Sequence, residues 1–483
     1  MKTGDQIVQR LPWKWGVQGK IFIIGGLGFM FDAWDIALNG FLTPLVGMAF
    51  EVSAADRGYI ATANLIGMAI GAVIWGSIAD RIGRKKAFTI TLLIFALFSV
   101  VGAMAPNYEI FILLRFLAGI GLGGCIPVDY ALVSEFTPKH VRGRVMTALN
   151  LWWPIGVTLA GVSSLLLVNI PESWRWMLVL MVLPALLIVW IRRGIPESPI
   201  YLSKRGAEEE ARRVIDELVE KTGASVEAYV IPPVVEEKEK TGFMAGWEQI
   251  KGIWTKFPGI TFAAWFLFGT IMTVYYTALS WLPTLLAESG AGETISFLGT
   301  TIMAAIGIFG CIIAIALIDR IGRKWLLAIG SLLSASALVG IGATLQVTGL
   351  ALVLIAVFGL VVQIVIPVLY AYTSEIYPTL YRASGFAWAS SFSRVVTGLM
   401  PIVFSAWAFP VLGVTNTFIV LLVASVLAII VMSRLAPETR GKDLDNIGIE
   451  SSTPNSDRHE EVDSASSELL VENARDFTHQ DSR

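Results

Sequence analysis

The stretch Ile126-Pro-Val-Asp-Tyr-Ala-Leu-Val-Ser-Glu-Phe-Thr-Pro-Lys-His-Val-Arg142 returns later as Ile366-Pro-Val-Leu-Tyr-Ala-Tyr-Thr-Ser-Glu-Ile-Tyr-Pro-Thr-Leu-Tyr-Arg382. Ile, Pro, Val, Tyr, Ala, Ser, Glu, Pro and Arg recur in register, at a spacing of roughly 240 residues. Asp80-Arg-Ile-Gly-Arg-Lys85 likewise recurs as Asp319-Arg-Ile-Gly-Arg-Lys324. Compositional bias gives isolated matches among apolar residues. It does not place Ser-Glu-x-x-Pro-x-x-x-Arg twice at one offset. The chain is therefore a tandem of two parallel repeats, of the kind that pack around a central cavity and rock about it.

Around these blocks lie apolar runs near 21–43, 58–79, 87–106, 109–134, 145–168, 174–192, 258–283, 295–318, 325–345, 349–373, 384–409 and 412–433. Each approaches the ~20 residues that a membrane-spanning helix needs. Of the 483 residues, 55% are hydrophobic and 15% charged, against about 25% charged in a soluble domain. The fold class expected is an all-α membrane protein of twelve transmembrane helices in two pseudo-symmetric six-helix halves. The first run is interrupted by Asp32 and Asp35 and precedes no small-residue cleavage site, so it reads as an uncleaved span.

Basic residues follow the second run (Arg81, Arg84, Lys85, Lys86), the fourth (Lys139, Arg142, Arg144), the eighth (Arg320, Arg323, Lys324) and the tenth (Arg382). Alternate loops carry few, with Arg57 and Arg175 the exceptions. This bias predicts an inner-membrane protein with both termini cytoplasmic. The domains expected are a first half over 1–192, a cytoplasmic linker with short amphipathic helices over 193–257, a second half over 258–441 and a disordered acidic tail over 442–483.

Lys plus Arg (36) nearly balance Asp plus Glu (38), so no basic field for nucleic acid is present. Cys125 and Cys311 lie in apolar runs without metal or disulfide spacing. The three histidines fall in loops or the tail, which leaves no buried histidine relay. Gly119–Gly124 looks like a nucleotide fingerprint, but it follows no strand, and glycines in a span serve close helix packing. Enzyme chemistry, a metal and a cofactor are all unexpected. The partners expected are a small-molecule substrate, protons and the lipid bilayer, with the chain acting as a monomer.

The repeated charges read as a cytoplasmic gate: Asp80, Arg84, Glu135 and Arg142 in the first half, with Asp319, Arg323, Glu375 and Arg382 in the second. An acid at one helix end can pair with an arginine of a neighbouring loop when that side closes. Ordinary topology charge and helix capping give the competing account.

Charges inside the runs do not repeat. Asp129 falls against Leu369, Arg394 against Pro154, Arg115 against Ile355, and Asp32 and Asp35 against Met272 and Tyr275. A charge at bilayer depth is costly and is usually functional. Asp32 lies twelve residues beyond Lys20, and Arg394 twelve beyond Arg382, each a rise of about 18 Å and thus near the midplane. Asp32 and Asp35, three apart, share a helix face; two carboxylates that close do not both stay ionised. Asp32, Asp35 and Asp129 are therefore candidates for proton coupling, with Arg394 as anchor for an anionic cargo. Asp129 serves equally well in the inner gate. Pairing of Asp32 or Asp35 with Arg394 or Arg115 is the alternative for the acids, and helix pairing is favoured for Arg115. Tyr275, Tyr276 and Trp388 are the aromatics expected to line the cavity, where a planar cargo would stack.

The chain resembles the major facilitator superfamily. Gly76-x3-Asp80-Arg-x-Gly-Arg84-Lys-Lys86 is similar to its signature between the second and third spans. Pro196-Glu-Ser-Pro199, Ser374-Glu-Ile-Tyr-Pro378 and Pro437-Glu-Thr-Arg-Gly441 resemble its sugar-porter-like branch. Phe31-Asp-Ala-Trp-Asp35, Gly119-x-Gly121-x-Gly-Gly124, Trp281-Leu-Pro283 and Ser393-Arg394 look like the niacin-type and aromatic-acid:proton symporters. Cys125 departs from the niacin-like pattern, which has an acid there. The resemblance implies secondary active, proton-coupled symport of a small organic anion, aromatic or nicotinate-like. A sugar, a polyol or an organic cation is the alternative cargo, and a non-transporting sensor on the same fold the alternative role.

Overall fold

The computed structural model describes residues 2–183, 186, 190, 196–225, 228–231, 243–377 and 381–440. The expected tail over 442–483 lies outside the described residues, as do the side chains of Asp80, Arg84 and Asp129.

Nine described helices are long and apolar enough to cross a membrane. They supply the first (Lys20–Ala49), second (Gly58–Ile82), third (Arg84–Gly102), seventh (Pro258–Leu286), eighth (Glu293–Ile321), ninth (Arg323–Thr344), tenth (Thr348–Glu375), eleventh (Arg382–Val403) and twelfth (Val414–Leu435) spans. The fourth and fifth are helical but interrupted, where the sequence reads as unbroken runs. Tyr108–Gly123 gives way to Cys125–Phe136 at Gly124, and Lys139–Leu149 to Trp152–Leu167 at Asn150. Composition stays apolar across both breaks, so hydropathy passes over them. Gly123 brings its backbone against that of Met68 in the second span, a contact no side chain would permit. The sixth span begins with Ser173–Val179.

The repeat extends to the packing. First against fifth span is matched by seventh against eleventh; second against fourth by eighth against tenth; third against fourth by ninth against tenth. Gly83 and Gly322, the repeated glycines of the basic loops, adopt nearly the same backbone, with φ of 102° and 101°. That region is open to glycine and strained for other residues, which explains why this residue recurs.

Each basic loop is fastened by a glutamate from the end of its own half. Glu197 Oε1 accepts from the Lys85 backbone N–H at 3.1 Å. Glu438 accepts from Arg323 N–H at 3.1 Å and from Lys324 N–H at 3.0 Å. Both sit at the N-terminus of a helix, the third or the ninth span, where free N–H groups and the helix dipole favour a carboxylate.

The linker is shared between the halves. Pro199–Lys204 and Glu208–Thr222 lie against the first half, where Tyr201 Oη donates to the Arg81 carbonyl at 3.0 Å. The N-terminal residues join this unit: Lys2–Thr3 pairs in parallel with Tyr229–Val230, and Ile7, Val8 and Leu11 are buried in one core with Ile215 and Leu218. Phe243–Lys256 belongs to the second half, with Trp254 edge-on to Trp265 and Lys256 over the Tyr381 ring.

Candidate functional site

On the side opposite the termini the two halves are locked together. Arg57 pairs with Glu288 at 3.0 Å. Ser405 Oγ donates to the Ala55 carbonyl at 2.8 Å, and Ile402 N–H to Thr62 Oγ1 at 3.2 Å. Gly40 brings the first span against the Leu279 carbonyl of the seventh, where a Cβ would collide. Phe41 and Phe297 pack edge-on at 4.9 Å. These contacts close the centre of the protein on that side.

Beneath them lies a central cavity of about 360 Å³, lined among others by Phe29, Trp153, Tyr275, Tyr276, Gln363 and Tyr370. It is tight in this closed state, and its walls are mostly aromatic with a few polar groups, the make-up of a small-molecule site. Trp153, from the first half, donates its indole N–H to Tyr275 Oη at 2.8 Å. Gln363 Nε2 donates to the same oxygen at 3.3 Å, while its Oε1 faces Cys311 Sγ at 3.6 Å.

The two carboxylates of the first span have different surroundings. Asp35 is fully buried in a two-pronged pair with the equally buried Arg115, Oδ1–Nη1 2.7 Å and Oδ2–Nη2 3.0 Å. Arg115 Nη2 also donates to Asn39 Oδ1 at 2.8 Å; Asn64 Nδ2 donates to Asp35 Oδ2 at 3.1 Å, and Asn39 Nδ2 to Asn64 Oδ1 at 3.0 Å. The network ties together the first, second and fourth spans of one half.

Asp32 is also fully buried, yet neither carboxylate oxygen has a hydrogen-bond partner among the described residues. Its electrostatic neighbours are Arg394, Asp35, Tyr276 and Tyr370. Arg394 enters from the eleventh span, so the acid of one half faces the cation of the other. The Arg394 guanidinium makes no hydrogen bond or ion pair among the described residues. An acid of one half and a cation of the other are thus held next to Tyr276 and Tyr370, which line the cavity.

Trp388 does not line the cavity. It packs against Gly246 of the linker helix Phe243–Lys256. Six residues separate it from Arg394, which turns it about 240° round the helix, to another face. Arg323 makes a two-pronged pair with Glu375 (3.1 and 3.3 Å) and a further one with Asp319 at 3.0 Å. Thr439 Oγ1 donates to Glu375 at 2.6 Å. All these residues belong to the second half, so the cluster braces that half internally. Arg142 Nη2 donates to the Thr137 carbonyl at 3.1 Å. Asn39, Asn64 and Gln363 escaped the sequence reading, which weighed charges; an amide alone in an apolar run was the signal available.

Fold and site together define a polytopic carrier of the major facilitator type. The family described as "Sugar (and other) transporter" matches residues 21–450, and the chain belongs to that family of membrane transporters. It is similar to a niacin transporter of Acinetobacter baylyi, with 34% identity over 88% of this chain and 95% of the relative. It is similar also to a 4-hydroxybenzoate transporter of Pseudomonas aeruginosa, with 27% identity over 79% and 84% of the two chains. Among solved structures, a partially occluded inward-open xylose transporter of E. coli superposes with a TM-score of 0.71 at 20% identity, over 88% of this chain and 99% of that one. That likeness shows the shared fold.

Proposed function

We propose that this chain is a proton-coupled symporter of a small organic anion, an aromatic or nicotinate-like carboxylate, working by alternating access. The observation that carries the reading is the fully buried, unpartnered Asp32 carboxyl set against Arg394 of the opposite half. A carboxylate buried without partners is costly, and a proton removes the larger, ionic part of that cost. Ionised, Asp32 competes with a cargo carboxylate for Arg394. Protonated, it leaves the guanidinium free to grip that carboxylate, with two parallel hydrogen bonds as its best geometry. Proton and anion therefore stabilise each other's binding, as linkage requires. Asp35, held by Arg115, positions the first span; Asp129 keeps its two roles from the sequence, coupling or inner gate.

Tyr275, Tyr276 and Tyr370 offer rings for a planar cargo. The names of the relatives, niacin and 4-hydroxybenzoate, are both aromatic acids, which supports this cargo class. The repeated charges at the inner ends of the two halves would act on the gate on the side of the termini by bracing each half from within, and that side would face the cytoplasm across the inner membrane. A sugar cargo is the second reading, favoured by the breadth of the family's description.

The test is uptake of labelled nicotinate, benzoate and xylose into proteoliposomes under an imposed pH gradient. Wild type should accumulate an acid and leave xylose outside. Asp32→Asn should lose gradient-driven accumulation but keep counterflow exchange; Arg394→Ala should lose both. Concentrative uptake by Asp32→Asn at the wild-type level would sink the proton assignment, and xylose accumulation would sink the cargo assignment.

A further inference from the structure

A second binding surface lies away from the central cavity, at the end of the fifth span nearest the termini. Val141, Val145 and Ala148, at spacings of four and three residues, form a stripe on the helix Lys139–Leu149, and Trp152 continues it beyond the break at Asn150. Opposite stand Trp15, from the segment leading into the first span, and Phe22, in that span's first turn. Their rings form a continuous wall: Trp13 to Trp15 at 5.6 Å, Trp15 to Phe22 at 6.3 Å, Phe22 to Trp152 at 6.3 Å. Between the two walls runs an open groove.

The groove has one polar feature among its lining residues, Arg144. This arginine is exposed and makes no hydrogen bond or ion pair among the described residues. Several cations of the same face have partners, among them Arg212 with Glu208, Lys221 with Glu217 and Arg323 with Glu375; Arg144 is the cation at the rim of the groove. Lys14 is turned away, its Nζ lying near Gly223 at the end of the helix Glu208–Thr222. His140, exposed and four residues before Arg144, shares its face. The tryptophans mark the depth of the membrane interface. An apolar slot that opens at this depth, with an uncommitted cation at its rim, has the charge pattern of a phospholipid turned inside out.

We propose that this groove holds one anionic glycerophospholipid of the leaflet on the side of the termini, with an acyl chain between Trp15 and Val145 and the phosphate on Arg144. An anionic headgroup is selected because a zwitterionic lipid brings its own cation beside Arg144 and His140. The bound lipid adds to the contacts that already join the N-terminal segment to the fifth span, the Lys139 N–H to Gln9 carbonyl bond at 2.9 Å and the packing of Trp13 on the cluster of Val145 and Leu149.

The experiment is native mass spectrometry of the full chain in detergent, titrated with phosphatidylglycerol or phosphatidylcholine of the same acyl chains. The wild type should take up one equivalent of phosphatidylglycerol at about fivefold lower concentration than phosphatidylcholine, the effect of one cation at a membrane surface. Arg144→Gln should abolish that preference while leaving phosphatidylcholine uptake unchanged. Ala148→Trp, which fills the slot, should weaken uptake of both lipids. Equal uptake of the two lipids by wild type, a preference that survives Arg144→Gln, or wild-type uptake by Ala148→Trp would each overturn the proposal and leave ordinary annular lipid as the explanation.

Discussion

Replacing Asp35 by Asn strips the counter-charge from Arg115 while keeping the shape of the side chain. Two short charge-assisted hydrogen bonds, at 2.7 and 3.0 Å, lose their anionic acceptor, and Arg115 retains Asn39 Oδ1 at 2.8 Å. Breaking a buried ion pair by removing one partner costs about 3–5 kcal/mol. Asn still offers one carbonyl oxygen, so the lower end, about 3 kcal/mol, is the expected loss. One kcal/mol moves the melting temperature by about 2–4 °C in chains of 150–250 residues, and by about half that in one of this length. The expected fall is roughly 3–6 °C, read by thermal unfolding of the purified protein in detergent. The reasoning is specific to pairing, so removing both charges should recover stability. Asp35→Leu with Arg115→Met exchanges an ion pair for apolar packing, which is often close to neutral. The Asn39 and Asn64 amides then lose partners, leaving a residual cost of about 1–3 kcal/mol. A double variant no more stable than Asp35→Asn would refute the account, as would an Asp35→Asn protein that melts with wild type.

Three further outcomes are expected. Glu438→Gln should weaken the cap on the ninth span by about 1 kcal/mol and speed hydrogen exchange at the Arg323 and Lys324 amides, leaving the second turn unchanged. Gly40→Val should drive the first span from Leu279, open the side opposite the termini and raise thiol labelling of a cysteine placed at Thr62. Tyr275→Phe should strand the Trp153 indole N–H at a cost of about 1–3 kcal/mol and raise KM for the cargo, without affecting the Asp35–Arg115 pair.

The tandem repeat made the fold legible, because scaffold residues answer to the same packing in both halves. Gly83 and Gly322 show this most directly: one backbone conformation, one residue. The interior charges stood out as well, since few other residues at that depth are so costly. Their partners were harder to read. Asp32 and Asp35 are three apart, and spacing alone makes them equivalent. About 60° of helix rotation is enough to send Asp35 into its own half and leave Asp32 facing the other. Trp388 was misread for the same reason, as rise along a helix fixes depth and leaves direction open. Asn39, Asn64 and Gln363 cost less to bury than charges do, so they left a fainter trace.

Glu197 and Glu438 follow the sixth and the twelfth spans, and each returns to cap the third helix of its own half. A six-helix unit thus ends by stitching its last residues to its own middle. Such a unit is closed upon itself, like a knotted thread, and owes none of that closure to its twin. Duplicating it would carry the stitch along intact. Two copies joined in this way are free to diverge at the seam where they face each other, and that seam is where Asp32 meets Arg394.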